Sequence, residues 1–153
     1  MKDKLGIGII GCGGVSGGHG AAYAEFSDIS EIVAVSDVIA ENARRRMKEW
    51  NAKAVYDDYH NLLADDRVDA VSVCTPHYLH GPVAVDAAKA GVHVIVEKPM
   101  AINIRQATEM IESAKANNTV LSVIFQNQYS PNNQFIHRSV LPELGKIEFS
   151  YLL

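Results

Sequence analysis

The chain has 153 residues, 48% hydrophobic and 21% charged, and a net charge of −4 from 14 basic and 18 acidic side chains. That length fits one domain with a full core and at most a piece of another, and the lack of a basic surplus argues against a nucleic-acid partner. Two cysteines, Cys12 and Cys74, make neither a disulfide framework nor a metal-ligand spacing and suit a reducing cytoplasm; the N-terminal apolar run is broken by glycine, a poor signal peptide and too short for a membrane span.

Short apolar runs alternate with amphipathic stretches. Strands are predicted at Leu5–Ile10, Ile32–Ser36, Ala70–Cys74, Val92–Val96 and Val120–Phe125, with a shorter one near Ala54–Tyr56. Each long run is rich in Val and Ile and apolar on both faces, the pattern of parallel strands covered by helices on both sides. Helices are predicted after the first glycine-rich turn, over Ala40–Trp50, Asp57–Leu63, Pro82–Ala90 and Ile104–Ala116. Pro82 suits a first helical turn and Gly91 a helix end. Asn103 is placed to cap the last of these helices, with Gln106 completing a capping box. The alternation defines an α/β fold with a doubly wound parallel sheet, a Rossmann domain over residues 1–125. Beyond Phe125 the polar stretch QNQYSPNNQ reads as a connection, followed by a helix at Asn133–Leu144 and a last strand at Lys146–Leu153. An apolar terminal strand needs a partner, so residues 126–153 are expected to begin a second α+β domain or to pair with another copy.

The first strand runs into Gly11-Cys12-Gly13-Gly14-Val15-Ser16. Gly11 suits the tight turn, Gly13 lets the backbone approach a pyrophosphate, and Ser16 is small enough for close helix–strand packing. The helix that follows directs free N–H groups at phosphate. Gly17, Gly18 and Gly20 each weaken that helix by roughly 1 kcal/mol against Ala, so packing must hold it or it begins later. The second strand ends at Asp37, whose carboxylate can accept both ribose hydroxyls and repels a 2′-phosphate. No arginine stands immediately beside it, so NAD is favoured over NADP. Arg44, Arg45 and Arg46 are read as a solvated helix face.

Two later strand ends carry polar groups. One is Cys74-Thr75-Pro76-His77-Tyr78-Leu79-His80. His77 and His80 share a helical spacing, but no third ligand is near, so no metal is expected; one of the pair is read as a ribose or substrate contact. His19, His60, His93 and His137 are read as structural. The other is Glu97-Lys98-Pro99, after the run VHVIV. Ligands of a doubly wound sheet bind outside the carboxyl ends of its strands, so Lys98 is the candidate proton-transfer group and Glu97 the candidate for positioning it.

The stretches GIIGCGGVS, VSD, CTPHYLH and VEKPMA, in this order, resemble the N-terminal half of the glucose–fructose oxidoreductase/inositol dehydrogenase (Gfo/Idh/MocA) family. The resemblance implies an NAD(P)-dependent hydride transfer on a sugar, cyclitol or related alcohol, in a homo-oligomer. It implies that Gly11, Gly13, Gly14, Val15 and Ser16 meet the pyrophosphate, that Asp37 is the strand-two acid, and that Cys74, Thr75, Pro76, His77 and His80 line the cofactor cleft. Lys98, beside Glu97, is implied near the nicotinamide as the catalytic lysine. Gln128 stands where many members have an arginine in an Asn-Arg-Tyr-like stretch. The family's second domain supplies the substrate pocket and usually an Asp-x-x-x-His pair, which this sequence lacks, so the chain is expected to be a cofactor-binding part. A reading from another class is a stand-alone nucleotide-binding or sensing module without catalysis.

Overall fold

The computed structural model describes residues 4–146. Its strands β1 (Leu5–Ile10), β2 (Ser30–Ser36), β3 (Ala54–Tyr56), β4 (Ala70–Val73), β5 (His93–Val96) and β6 (Leu121–Val123) are all parallel. They form one sheet in the order β3-β2-β1-β4-β5-β6. Helices α1 (Ser16–Glu25), α2 (Ala40–Trp50), α3 (Tyr59–Leu63), α4 (His80–Lys89) and α5 (Ile104–Ala116) connect consecutive strands. This is the Rossmann order, and the chain reverses direction across the sheet between β1 and β4, where a crevice opens at the carboxyl ends.

The apolar runs are explained by burial on both faces. Ile9, Val35, Val71, Val73 and Val96 are fully buried, each worth about 1.5–3 kcal/mol relative to exposure. On one face Ile7, Ile9 and Val35 pack with Ala43, Tyr23, Met47 and Trp50, side chains of α1 and α2. On the other, Ile10, Val71, Val73 and Val96 pack with Leu62, Val83 and Met110 from α3, α4 and α5.

Helix α1 begins at Ser16 and keeps its glycines. Packing accounts for this: a methyl group on Gly20 would overlap the Trp50 ring, so glycine lets α2 lie against α1. Asn51 ends α2 in the left-handed conformation (φ 53°). Helix α3 starts two residues later than expected because Asp58 caps it, accepting the His60 N–H at 2.9 Å. Helix α4 starts two residues earlier, at His80, so Pro82 falls inside its first turn, where its missing N–H is harmless. Only half of the expected capping box forms. Asn103 accepts the Gln106 N–H at 2.9 Å, but Gln106 Oε1 is buried without a partner, and its side chain lies beside Gly81 of α4.

After β6 the chain is helical but irregular. A 3₁₀ turn at Gln126–Tyr129 precedes α6 (Pro131–Phe135), capped by Ser130, and then a π turn at Ile136–Val140 and a 3₁₀ turn at Leu141–Glu143. The helix expected over Asn133–Leu144 is thus a series of different turns that starts earlier. The expected last strand, Lys146 apart, lies outside the described residues. Among the described residues, no helix is long and apolar enough to cross a membrane.

Candidate functional site

The end of β1 requires glycine at position 11. Gly11 has φ +91°, and a Cβ there would lie 2.7 Å from the carbonyl carbon and oxygen of Cys74 on the neighbouring strand. This close approach joins the β1 turn to the β4 turn. Beyond it, Cys12 N–H donates to Asp37 Oδ2 at 2.7 Å, and Ile39 N–H donates to Asp37 Oδ1 at 2.8 Å. The β2 carboxylate therefore holds the glycine turn as well as its own. Ser16 is buried, and its hydroxyl donates to Gly13 O at 2.7 Å.

Among the described residues, the N–H groups of Gly13, Gly14, Val15 and Ser16 have no partner in the protein. Four consecutive free donors at the N-terminus of a ten-residue helix form an anion cradle. A Cβ on Gly13 or Gly14 would meet nothing within 4 Å, so no protein atom demands glycine at either position.

The cradle opens on a cavity of about 760 Å³. It is lined by Gly11, Gly13, Gly14 and Val15 of the glycine turn, by Cys74, Thr75 and Pro76 of the β4 turn, and by Asp37, Val38, Ile39, Asn42 and Tyr59. Thr75 Oγ1 is buried without a partner. Of the residues singled out from the sequence, Ser16, His77, His80, Glu97 and Lys98 do not line this cavity.

His80 takes a different place from a ribose contact. It is fully buried, with Nδ1 2.8 Å from Pro99 O and Nε2 3.0 Å from Thr75 O. Its ring lies between the Thr-Pro turn and the Lys-Pro turn, and a neutral imidazole donates to one of these two carbonyls at a time. His77 is exposed, edge-on to His80 at 5.6 Å between ring centroids.

Glu97 and Lys98 are held by a network that the sequence did not reveal. Glu97 Oε2 accepts the Lys98 N–H at 3.1 Å, and Glu97 Oε1 lies 3.1 Å from His19 Nε2. His19 Nδ1 lies 3.2 Å from Ser72 Oγ, which lies 2.7 Å from the Tyr23 hydroxyl. One proton arrangement satisfies the whole chain: Tyr23 donates to Ser72, Ser72 to His19 Nδ1, and His19 Nε2–H to Glu97. The His19 and Glu97 side chains are only 9% and 15% exposed. Lys98 itself is exposed, and among the described residues its Nζ has no partner. The only hint of His19 in the sequence was its place in the first turn of the helix after the glycine turn.

Arg46 departs from the expected solvated face, whereas Arg44 and Arg45 are exposed as expected. Arg45 Nη2 donates to Cys12 O at 3.3 Å and Arg46 Nη2 to Gly13 O at 3.0 Å. Both thiols are held in the protonated form by their surroundings. Burial first, then the Asp37 charge, pushes Cys12 up to about 12; burial first, then Glu97, does the same to Cys74.

A parallel sheet in this strand order, with a free N–H cradle after β1 and a carboxylate at the end of β2, defines a dinucleotide-binding domain. Residues 5–125 match the family model described as "Oxidoreductase family, NAD-binding Rossmann fold" (GFO_IDH_MocA). The chain belongs to the Gfo/Idh/MocA oxidoreductase family. It is 31% identical over 134 residues to the myo-inositol 2-dehydrogenase of Thermotoga maritima, a match spanning 88% of this chain and 40% of that protein. It is 33% identical over 140 residues to the D-glucoside 3-dehydrogenase of Escherichia coli, spanning 91% of this chain and 40% of that one. The WlbA dehydrogenase from Bordetella pertussis, solved with NADH and UDP-GlcNAcA, superposes with a TM-score of 0.83 at 30% identity, covering 87% of this chain and 40% of that one. The chain thus spans about two fifths of the length of these relatives.

Proposed function

We propose that the chain is the cofactor-binding part of a dehydrogenase that moves hydride between NAD and a sugar, cyclitol or related alcohol. The observation that carries this reading is the glycine turn: the residues Gly13, Gly14 and Val15, whose N–H groups are free, line a cavity that is also lined by an aspartate already oriented by two backbone donors. The pyrophosphate belongs on the cradle, and the adenosine ribose on Asp37. When bound, the nicotinamide supplies the hydride chemistry; the protein supplies binding, orientation and proton transfer. The substrate class is taken from the relatives, which include inositol and glucoside dehydrogenases.

NAD is favoured over NADP for two reasons. The Asp37 carboxylate repels a 2′-phosphate, and the residues that follow it are Val38, 90% exposed, and Ile39. Of the three arginines of α2, Arg45 and Arg46 are turned to the carbonyls of the glycine turn, and Arg44 is exposed.

Lys98 is the proton-transfer group in this reading. Its turn is anchored twice, through Glu97 to His19 and through Pro99 O to His80. An anchored backbone with an unpaired Nζ suits a group that must meet a substrate hydroxyl at a fixed place. Residues 126–153 begin the substrate domain; Phe125, Tyr129, Phe135 and Leu144 leave apolar side chains exposed for it to cover. A non-catalytic sensing module is less favoured, because the named relatives are dehydrogenases.

Cofactor fluorescence during titration with NADH and NADPH tests the reading. NADH is expected to bind at least about 10-fold more tightly than NADPH. Equal affinities would remove Asp37 as the selector, and tighter NADPH binding would reverse the assignment.

A further inference from the structure

We propose that Arg46 is a positioning residue for the pyrophosphate: from α2 it fixes the peptide planes of the glycine turn so that their N–H groups face the cleft. The inference rests on the reading of that cleft as a dinucleotide site.

Arg46 lies with its side chain 12% exposed between α1 and α2. Nη1 is held by Glu49 Oε2 at 2.8 Å, and the guanidinium carbon sits 4.9 Å from the centre of the Trp50 ring. Nη2 donates to Gly13 O at 3.0 Å, an oxygen that also accepts the Ser16 hydroxyl. Arg45 holds the preceding carbonyl, that of Cys12. In a trans peptide the N–H points opposite to the C=O. Drawing the Cys12 and Gly13 carbonyls toward α2 therefore turns the N–H groups of Gly13 and Gly14 away from it. Both of these residues line the cleft, and neither N–H has a partner among the described residues.

The glycines of α1 acquire a purpose from this arrangement. A Cβ on Gly17 would meet Arg46 Nη2 at 3.1 Å, and one on Gly20 would overlap the Trp50 ring. Positions 17 and 20 face the same way on α1, and 46 and 50 do so on α2. The two small residues form a trough in which the arginine and the tryptophan lie. Arg46 Nε is buried in it without a partner, a penalty that an apolar side chain of the same length would avoid. An arginine retained there is explained by its hold on the turn.

The test uses the whole 153-residue chain and the variants Arg46→Met and Arg46→Lys. Methionine keeps an aliphatic side chain against Trp50 and removes the donors; lysine restores one. Expected is an approximately 10-fold to 100-fold loss of affinity for NADH and ADP-ribose in Arg46→Met, with adenosine within about threefold of the parent and partial recovery in Arg46→Lys. Backbone ¹⁵N relaxation of the ligand-free chain is expected to show Gly13 and Gly14 as ordered as β1 in the parent and mobile in Arg46→Met. A folded Arg46→Met variant with an equally ordered turn, with unchanged NADH affinity, or with an equal loss for adenosine overturns the proposal. If the parent fails to bind NADH while the turn still loosens in the variant, the dinucleotide reading fails and the pyrophosphate role with it; the arginine's hold on the turn stands.

Discussion

Asp37 Oδ2 accepts the backbone N–H of Cys12 at 2.7 Å, so the acid that ends β2 also ties down the turn that ends β1. The same carboxylate accepts Ile39 N–H. Selection of the ribose and shaping of the phosphate cradle therefore share one side chain. Asp37→Ala is expected to lower NADH affinity by at least about 10-fold and to bring the NADH and NADPH affinities to within about threefold of each other. Stability is expected to fall by about 1–3 kcal/mol as two backbone donors lose their acceptor. Fluorescence titration and urea denaturation of the variant measure the two effects.

His19 is expected to matter through Glu97. His19→Ala removes the side chain that holds one Glu97 oxygen, leaving Glu97 Oε1 without its partner and Ser72 with Tyr23 alone in a nearly closed space. The expected loss is about 1–3 kcal/mol, with faster amide exchange at Lys98. His19→Gln, which can place one N–H near Glu97, is expected to lose less. Equal losses in the two variants would show that ring packing, not the hydrogen bond, is what matters.

Gly11→Ala is expected to be among the more damaging small substitutions in the chain. The left-handed conformation and the Cβ contact with the Cys74 carbonyl act together, for about 2–4 kcal/mol. Thermal denaturation should show it, and NADH affinity should fall as well because β1 and β4 are forced apart at the crevice. Gly14→Ala has open space around it and is expected to keep the stability of the parent while weakening NADH binding.

Stability is expected to decline at both ends of the pH scale for identifiable reasons. Hydrogen bonds from Arg67 hold the Asp65 carboxyl down at about 2. The stability this supplies is full above the ordinary carboxyl range and is lost as pH falls toward 2. Cys12 and Cys74 are raised from about 9 to about 12. Their contribution is full below 9 and is lost as pH rises from 9 toward 12, where the unfolded chain releases its thiol protons first. Urea midpoints against pH test both arms. Asp65→Asn should flatten the acid side and Cys12→Ala the alkaline side. Both thiols should resist iodoacetamide at pH 8 in the folded chain.

Much of this architecture was legible in the sequence. A run such as LGIGII is apolar at successive positions because both faces of the sheet are covered, and that pattern gives a parallel sheet without any knowledge of pairing. The glycine turn and Asp37 were legible because their chemistry is local to strand ends. The Glu97–His19 contact was not: it joins residues 78 apart, and a histidine on a helix carries no sign of the strand end it will meet. Arg46 was misplaced for a related reason. A run of three arginines looks solvated, and only the trough made by Gly17 and Gly20 draws one inward. The expected start of α3 moved to where Asp58 caps it.

The central claim is that NADH lies across the carboxyl ends of the strands, from Asp37 over the glycine turn toward Lys98. The most direct test is a titration of the ¹⁵N-labelled chain with NADH, following backbone amide shifts. Expected are saturable shifts concentrated at Gly13, Gly14, Val15 and Asp37, extending to Thr75 and Lys98, and the loss of the Lys98 shift when ADP-ribose replaces NADH. Shifts clustered away from these strand ends, or none that saturate at millimolar NADH, would contradict it.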